Sequence, residues 1–292
     1  MNLDRMKESQ QPIIIIGMHR SGTSMLTGFI SNLGVFMGRD KSMNDESVFF
    51  QRINDWLLYQ FGATWDNPLD LREIEIKTMP QISEFLQSKI KSLSALPYFG
   101  LSKYIGYKLN SSINYKWGWK DPRNSLLLDF YKEIYPNAKI VHIYRNPVDV
   151  ALSLRSRENK FDEEFKVSMK KRIKSNLLIK ERIFCHSPLV KDLEYSFNLW
   201  KMYTSKALEA DSKFKDVIHI NYEDFLKSPK IVLTELSEYL ELNPDQSILN
   251  SIISKADYNR AFAFRKDPQA VKFYKNIKDN PLVKRLNYHN LI

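Results

Sequence analysis

Gly17 and Gly22 bracket a short turn, GMHRSG, that holds Arg20 and Ser21 and is followed at once by Thr23 and Ser24. One guanidinium, three hydroxyls and a glycine-bounded backbone are what an anion site needs. The β-branched run Ile13 to Ile16 before the turn reads as a strand buried on both faces. After it, Met25, Leu26, Phe29, Ile30 and Leu33 recur on one face of a helix. Strand, loop and helix so ordered aim backbone N–H groups and a helix N-terminus at one anion. The glycine spacing is that of a Walker A loop, but Thr23 stands where that loop needs lysine. That lysine neutralises a nucleoside triphosphate, so its absence argues against an ATPase or kinase. An ordinary strand-to-helix connection is the bland alternative, and a phosphate-like site the better reading.

Two further clusters fall where strands should end. Trp117 to Lys120 reads as a strand running into Asp121-Pro122-Arg123, and Lys139 to Tyr144 as another running into Arg145-Asn146-Pro147. Ser153 lies two turns into the helix that begins at about Val148, with proline at its start. In a parallel sheet, ligands sit outside the carboxyl ends of the strands. Arg145 and Ser153 could therefore hold a second anion. Each residue also has a structural reading: Arg145 as the partner of an acid, Ser153 as a helix-surface serine, Lys120 and Asp121 as an ion pair. Arg123 divides between substrate contact and structural pairing. His142, inside an apolar strand, reads as a hydrogen-bonded core residue, and His19 is not favoured as a base.

The elements that must position these residues alternate. Helices are expected over Ser47 to Phe61, closed by Gly62, from Gln81 to Leu93, and from Leu126 to Tyr135. Leu96 to Ser112 carries no clear assignment. Asp162 to Asp211 reads as mostly helical, Asp216 to Ile220 as a last strand, and Tyr222-Glu223-Asp224 as a turn. Pro229 to Leu240 forms an amphipathic helix, and irregular packing is expected beyond Ala256. This order predicts an α/β fold: a three-layer, P-loop-type architecture with a central, mainly parallel sheet. The expected organisation is one domain over residues 1–292, frayed over 1–11, with a helical insertion at 156–211.

The 292 residues include 44 lysines and arginines against 34 acids, a net charge of +10, which suits an anionic ligand. Nucleic acid is a minor option, since no arginine-rich arm, zinc-finger spacing or aromatic–basic RNA signature occurs. Cys185 is the single cysteine, so no intramolecular disulfide can form and a cysteine metal cage is disfavoured. The polar start and short apolar run predict neither a signal peptide nor a membrane span, and hence a cytoplasmic protein.

Taken together, the motifs resemble those of the sulfotransferases that use 3′-phosphoadenosine 5′-phosphosulfate (PAPS). GMHRSGTS resembles their 5′-phosphosulfate loop, and IVHIYRNPVDVALSL their 3′-phosphate motif, with Arg145 and Ser153 at the matching positions. WKDPR is similar to a lysine-bearing motif of the branch that includes tyrosylprotein and many bacterial sulfotransferases. Tyr222-Glu223-Asp224 resembles a turn common late in that fold. Arg20 stands where the cytosolic small-molecule enzymes have lysine, which is closer to the carbohydrate and protein-modifying branches. The histidine base of the cytosolic enzymes has no counterpart.

The resemblance implies transfer of a sulfuryl group from PAPS to an acceptor hydroxyl, on a carbohydrate or glycan by branch resemblance, leaving adenosine 3′,5′-bisphosphate and needing no metal. It implies that Arg20 and Lys120 bind the sulfonate and bridging oxygen. Ser21, Gly22, Thr23 and Ser24 would hold the 5′-phosphate, and Arg145 and Ser153 the 3′-phosphate. A carboxylate must take the acceptor proton. Glu46 is the first choice, with Asp45 and Asp66 as alternatives, although Glu46 also fits a helix-start residue. Arg265 and Lys266 match poorly a late basic segment that closes over the nucleotide. The basic run Lys170 to Lys174 reads as a solvated helix face. The competing functions are a nucleotide or small-molecule kinase and a non-catalytic nucleotide-binding protein.

Overall fold

The computed structural model of the chain describes residues 11–68, 78–110, 115–177, 186–254 and 257–292. Cys185 and residues 1–10 of the expected frayed start at 1–11 lie outside the described residues. In chain order the structure begins with β1 (Ile13–Ile16), α1 (Thr23–Asn32), α2 (Val48–Gln60), α3 (Met79–Lys91), α4 (Leu96–Phe99) and α5 (Leu101–Asn110). It continues through β2 (Gly118–Lys120), α6 (Leu128–Ile134), β3 (Lys139–Tyr144), α7 (Pro147–Val167), α8 (Met169–Leu177), α9 (Leu193–Leu208) and α10 (Ala210–Lys213). The last elements are β4 (Val217–Asn221), α11 (Tyr222–Lys227), α12 (Pro229–Tyr239), α13 (Gln246–Ile253), α14 (Pro268–Ile277) and α15 (Pro281–Arg285). Two compact units emerge, Met1–Tyr144 with Tyr203–Tyr258, and Arg145–Met202 with Asn259–Ile292.

The first unit carries the sheet. Its order is β2-β1-β3-β4, with every neighbouring pair parallel, as the α/β reading requires. The four isoleucines of β1 are at most 4% exposed, and full burial of each contributes roughly 1.5–3 kcal/mol. Register pairs Ile15 with Lys120 and with Val141, and Tyr144 with Asn221. The residues after β1, β2 and β4 therefore leave the sheet at the same edge. Ser47 caps α2 by accepting the Phe50 N–H at 3.3 Å, and Gly62 follows its end with φ 67°.

His142 behaves as a core residue. Its Nδ1 lies 2.8 Å from Nδ1 of His219, whose Nε2 lies 2.8 Å from Asp211. Burial pushes the His142 imidazole well below its usual value, and His219 adds to the shift.

Three expectations need correction. Tyr222-Glu223-Asp224 is not an isolated turn but the first turn of α11, capped by Asn221 accepting the Asp224 N–H at 3.0 Å. Of the stretch Leu96 to Ser112, which carries no assignment from sequence, Leu96 to Asn110 forms two helices broken at Gly100, whose φ is 72°, and residues 111–112 lie outside the described residues. Beyond Ala256 the chain is ordered into 3₁₀ turns and the helices α14 and α15, each started by a proline and an Asx cap.

The second unit is helical, and α7 is its longest element. Asn146 caps α7 by accepting the Asp149 N–H at 2.9 Å, with Pro147 at the first position. Farther along, Glu158 accepts the His186 N–H at 2.7 Å and the Ser187 N–H at 3.2 Å, and Arg157 pairs with it at 2.8 Å. Burial alone would raise the Glu158 carboxyl; the His186 side chain, then the Arg157 charge, then the two backbone N–H groups outweigh it and hold it at about 2.

Candidate active site

The loop after β1 owes its shape to its two glycines. Gly17 has φ 141°, and a Cβ there would lie 2.2 Å from the Ile143 carbonyl oxygen. Gly22 has φ 96°, and a Cβ there would lie 2.5 Å from the Tyr222 ring. The loop is thus pressed between β3 and the start of α11, and no other residue fits either position. The Gly17 N–H donates to Ser125 Oγ at 2.9 Å, a contact with no sequence signal. Arg20 also adopts a left-handed backbone, φ 70°, with its side chain exposed.

At the head of α1, Gly22 offers no side-chain cap and the first turn holds no acid. Leu26 N–H closes the first helical bond, to Gly22 at 3.1 Å. The N–H groups of Thr23 and Ser24 precede that ladder. The Ser21 N–H is taken by the Met18 carbonyl at 3.1 Å. Its Oγ, in contrast, is fully buried with no hydrogen-bond partner among the described residues. This donor set fits a phosphate-like group.

Lys120 supplies the amine that the loop lacks. From the end of β2 its Nζ donates to Ser24 Oγ at 3.3 Å and to the Asn44 carbonyl. It also lies 3.5 Å from Glu46 Oε1, and both side chains are buried, 1% and 8% exposed. Ser24 Oγ donates to the same Asn44 carbonyl at 2.6 Å. Glu46 Oε2 accepts from Gln51 Nε2 at 3.4 Å and from Ser42 Oγ at 3.5 Å. Burial raises the Glu46 carboxyl above its usual range, with Lys120 opposing; burial lowers the Lys120 amine, with Glu46 opposing. Loop 42–46 therefore packs Glu46 and the Asn44 carbonyl against Lys120, a placement that periodicity could not reveal. Its one advance signal was the carboxylate in NDES.

Asp45 and Asp66, the alternative bases, are engaged elsewhere. Asp45 lies 4.0 Å from Lys41, and Asp66 accepts from Thr64 Oγ1 at 2.7 Å. The alternative reading of Lys120 and Asp121 as a simple ion pair is not what the contacts show. Asp121 instead caps the 3₁₀ turn by accepting the Arg123 N–H at 2.9 Å and lies 3.4 Å from Arg123 Nε. Arg123, 2% exposed, also reaches Asp55 on α2 at 3.0 Å. Beside it Asn124 accepts from Asn54 at 2.8 Å and from Trp119 at 3.2 Å, and donates to the Ile15 carbonyl at 3.1 Å. Asn124 is thus bonded from α2, β2 and β1, which ties α2 to both strands.

In the second unit, Arg145 Nη2 lies 3.3 Å from Asp149 Oδ2 and donates to the Arg260 carbonyl at 2.8 Å. Asp149 is 3% exposed. It also accepts from Asn146 Nδ2 at 2.9 Å and from the N–H groups of Ala263 and Phe264 at 3.2 and 2.8 Å. Ser153 lies half-buried on α7, two turns beyond. Asp149 was missed in the sequence, although its i,i+4 offset from Arg145 was visible. Arg265 does not extend freely; it donates to the Leu291 carbonyl at 2.8 Å.

Among the described residues no helix is long and apolar enough to cross a membrane, and no three His, Cys, Asp or Glu side chains gather as a metal site. No curated protein matches the chain significantly in sequence. Solved structures similar to it include the sulfotransferase domain from the curacin biosynthetic pathway, 14% identical, covering 92% of this chain and 97% of that one, with a TM-score of 0.49. A sulfotransferase from Alicyclobacillus acidocaldarius is 17% identical over 90% and 99% of the two chains, with a TM-score of 0.44. Retinol dehydratase in complex with androsterone and the inactive cofactor PAP is 14% identical over 92% and 81%, with a TM-score of 0.39. The family profile described as Sulfotransferase family matches residues 12–246. On that match the chain belongs to the PAPS-dependent sulfotransferase family.

Proposed function

We propose that this sulfotransferase modifies a hydroxyl of a carbohydrate or glycan, with Glu46 as the base. The buried Glu46–Lys120 contact, 3.5 Å long, carries the reading. A carboxylate whose proton affinity is raised by burial is the better suited to take the acceptor proton. Bound PAPS supplies the transferable sulfuryl group. Lys120 and Arg20 hold the negative charge that develops on the departing phosphate oxygen. Thr23 and Ser24, with the start of α1 and the Ser21 hydroxyl, hold the 5′-phosphate. Arg145 and Ser153 are assigned the 3′-phosphate, the group that distinguishes PAPS from ATP. The arginine in the loop resembles the carbohydrate- and protein-modifying branches, and the carbohydrate acceptor is proposed on that branch resemblance.

Incubation with sulfur-labelled PAPS and a panel of oligosaccharides, tyrosyl peptides and phenols tests the acceptor. Label on oligosaccharides alone is expected. Label on peptides or phenols alone contradicts the carbohydrate assignment while leaving the role of Glu46 standing.

A further inference from the structure

Helix α2 has two polar faces with different partners. Gln51, Asn54 and Asp55 turn to Glu46, Asn124 and Arg123. On the other side of the same helix, Phe49, Arg52, Ile53 and Trp56 line a separate cavity of about 720 Å³. That volume lies within the roughly 300–1,000 Å³ of small-molecule pockets. At 100° per residue, the mean directions of the two sets lie roughly 160° apart, with Arg52 and Asp55 at the seam between them.

The interior of this cavity is aromatic. The half-buried Trp56 and exposed Phe85 rings lie 4.4 Å apart at 30°, a tilted pair, and the buried Phe49 and Ile53 complete this wall. A flat or apolar body can lie against such a surface. Its rim is basic, with the exposed Arg39, Lys41, Arg52 and Lys89 converging from three segments. Asp40 is the one carboxylate of the lining. Its oxygens are turned into α2, accepting the Phe49 N–H at 2.6 Å and Ser47 Oγ at 3.1 Å. Lys41 lies 4.0 Å from Asp45 and Lys89 Nζ lies 5.2 Å from the Phe85 ring centre, yet the four cations outnumber the carboxylates around the cavity, a balance that favours an anion.

We propose that this cavity binds a small amphipathic organic anion: a ring system or short aliphatic body carrying a carboxylate, sulfonate or phosphate. The site is separate from the donor loop and from Lys120, and it does not depend on the acceptor reading above. The wall between them is the 40–48 stretch, which meets the cavity through Asp40, Lys41 and Val48 and meets Lys120 through Asn44 and Glu46.

Calorimetry of the full chain with 2-naphthalenesulfonate and with the uncharged 2-naphthamide tests the proposal. The sulfonate is expected to bind about tenfold or more tightly than the amide, the sum of several rim charges. Arg52→Gln and Lys89→Gln, both exposed, should each weaken the sulfonate about threefold without lowering the melting temperature. Trp56→Leu should weaken both probes. Saturating adenosine 3′,5′-bisphosphate should leave the affinity unchanged. Equal affinity for the two probes, no binding, or indifference to Arg52→Gln and Lys89→Gln overturns the proposal. Competitive displacement by the bisphosphate also overturns it, since the probe would then occupy the donor site.

Discussion

Lys120 Nζ stands 3.3 Å from Ser24 Oγ on α1 and 3.5 Å from Glu46 Oε1 ahead of α2, and thereby ties the anion loop to the proposed base. A Walker loop carries its lysine on its own helix. This chain brings the amine across from β2 instead. The consequence is a buried cation whose charge depends on a carboxylate partner, and a carboxylate whose proton affinity is raised by the same burial. Glu46→Gln should therefore lower turnover by about 10²–10⁴-fold with little change in donor affinity. Steady-state kinetics beside calorimetry with adenosine 3′,5′-bisphosphate checks this. Unaltered turnover would move the base to Asp45 or Asp66.

Removing only one member of the pair strands the other in a dry site. Lys120→Met should destabilise the fold by about 3–5 kcal/mol, read from urea unfolding. The double variant Lys120→Met, Glu46→Gln should recover part of that loss. Two additive losses would mean that the contact at 3.5 Å contributes no coupling.

Arg145→Ala should weaken adenosine 3′,5′-bisphosphate binding and leave adenosine 5′-phosphosulfate, which has no 3′-phosphate, nearly unaffected. Equal losses for both ligands would sink the 3′-phosphate assignment.

Asp149 gathers Arg145, Asn146 and the N–H groups of Ala263 and Phe264 on one buried carboxylate. Asp149→Asn keeps the shape but offers one acceptor oxygen where two are used. Hydrogen exchange at Ala263 and Phe264 should accelerate, and bisphosphate affinity should fall in the direction of Arg145→Ala. Unchanged exchange at both amides would show that the carboxylate does not hold this segment.

Much of this was legible in the sequence, for physical reasons that differ by element. The β1 and β3 boundaries followed from runs of buried apolar residues ending at glycine or arginine, and α2 from Ser47 and Gly62 at its ends. Gly17 and Gly22 announced the loop because only glycine tolerates the approach of Ile143 and Tyr222. What stayed hidden was long-range satisfaction of polar groups. Ser125, Asn54 and Asn124 carry no local pattern, and their partners lie up to 109 residues away. The α14 and α15 helices were lost among basic and aromatic residues, although Asp267-Pro268 and Asn280-Pro281 are helix starts.

Stability should fall with acid in two pH windows. His142 is held below its ordinary value of 6.5, so the folded state refuses a proton that the unfolded chain accepts. The stability this contributes is complete above about pH 6.5 and is lost as the pH falls below it. Glu158, lowered from 4.5 to about 2, contributes stability above pH 4.5 that disappears on the way down to about 2. Urea midpoints measured across this range should slope downward in both windows. His142→Phe should flatten the first slope and Glu158→Gln the second, whatever each does to absolute stability. A slope that survives its own substitution would assign that window to another group.

The donor assignment is tested most directly by calorimetric titration of the wild-type chain with adenosine 3′,5′-bisphosphate, run beside ATP with magnesium. Micromolar binding of the bisphosphate and none of ATP is the predicted result. Tight ATP–magnesium binding with no response to the bisphosphate would contradict it, and would return the Gly17–Gly22 loop to the kinase reading.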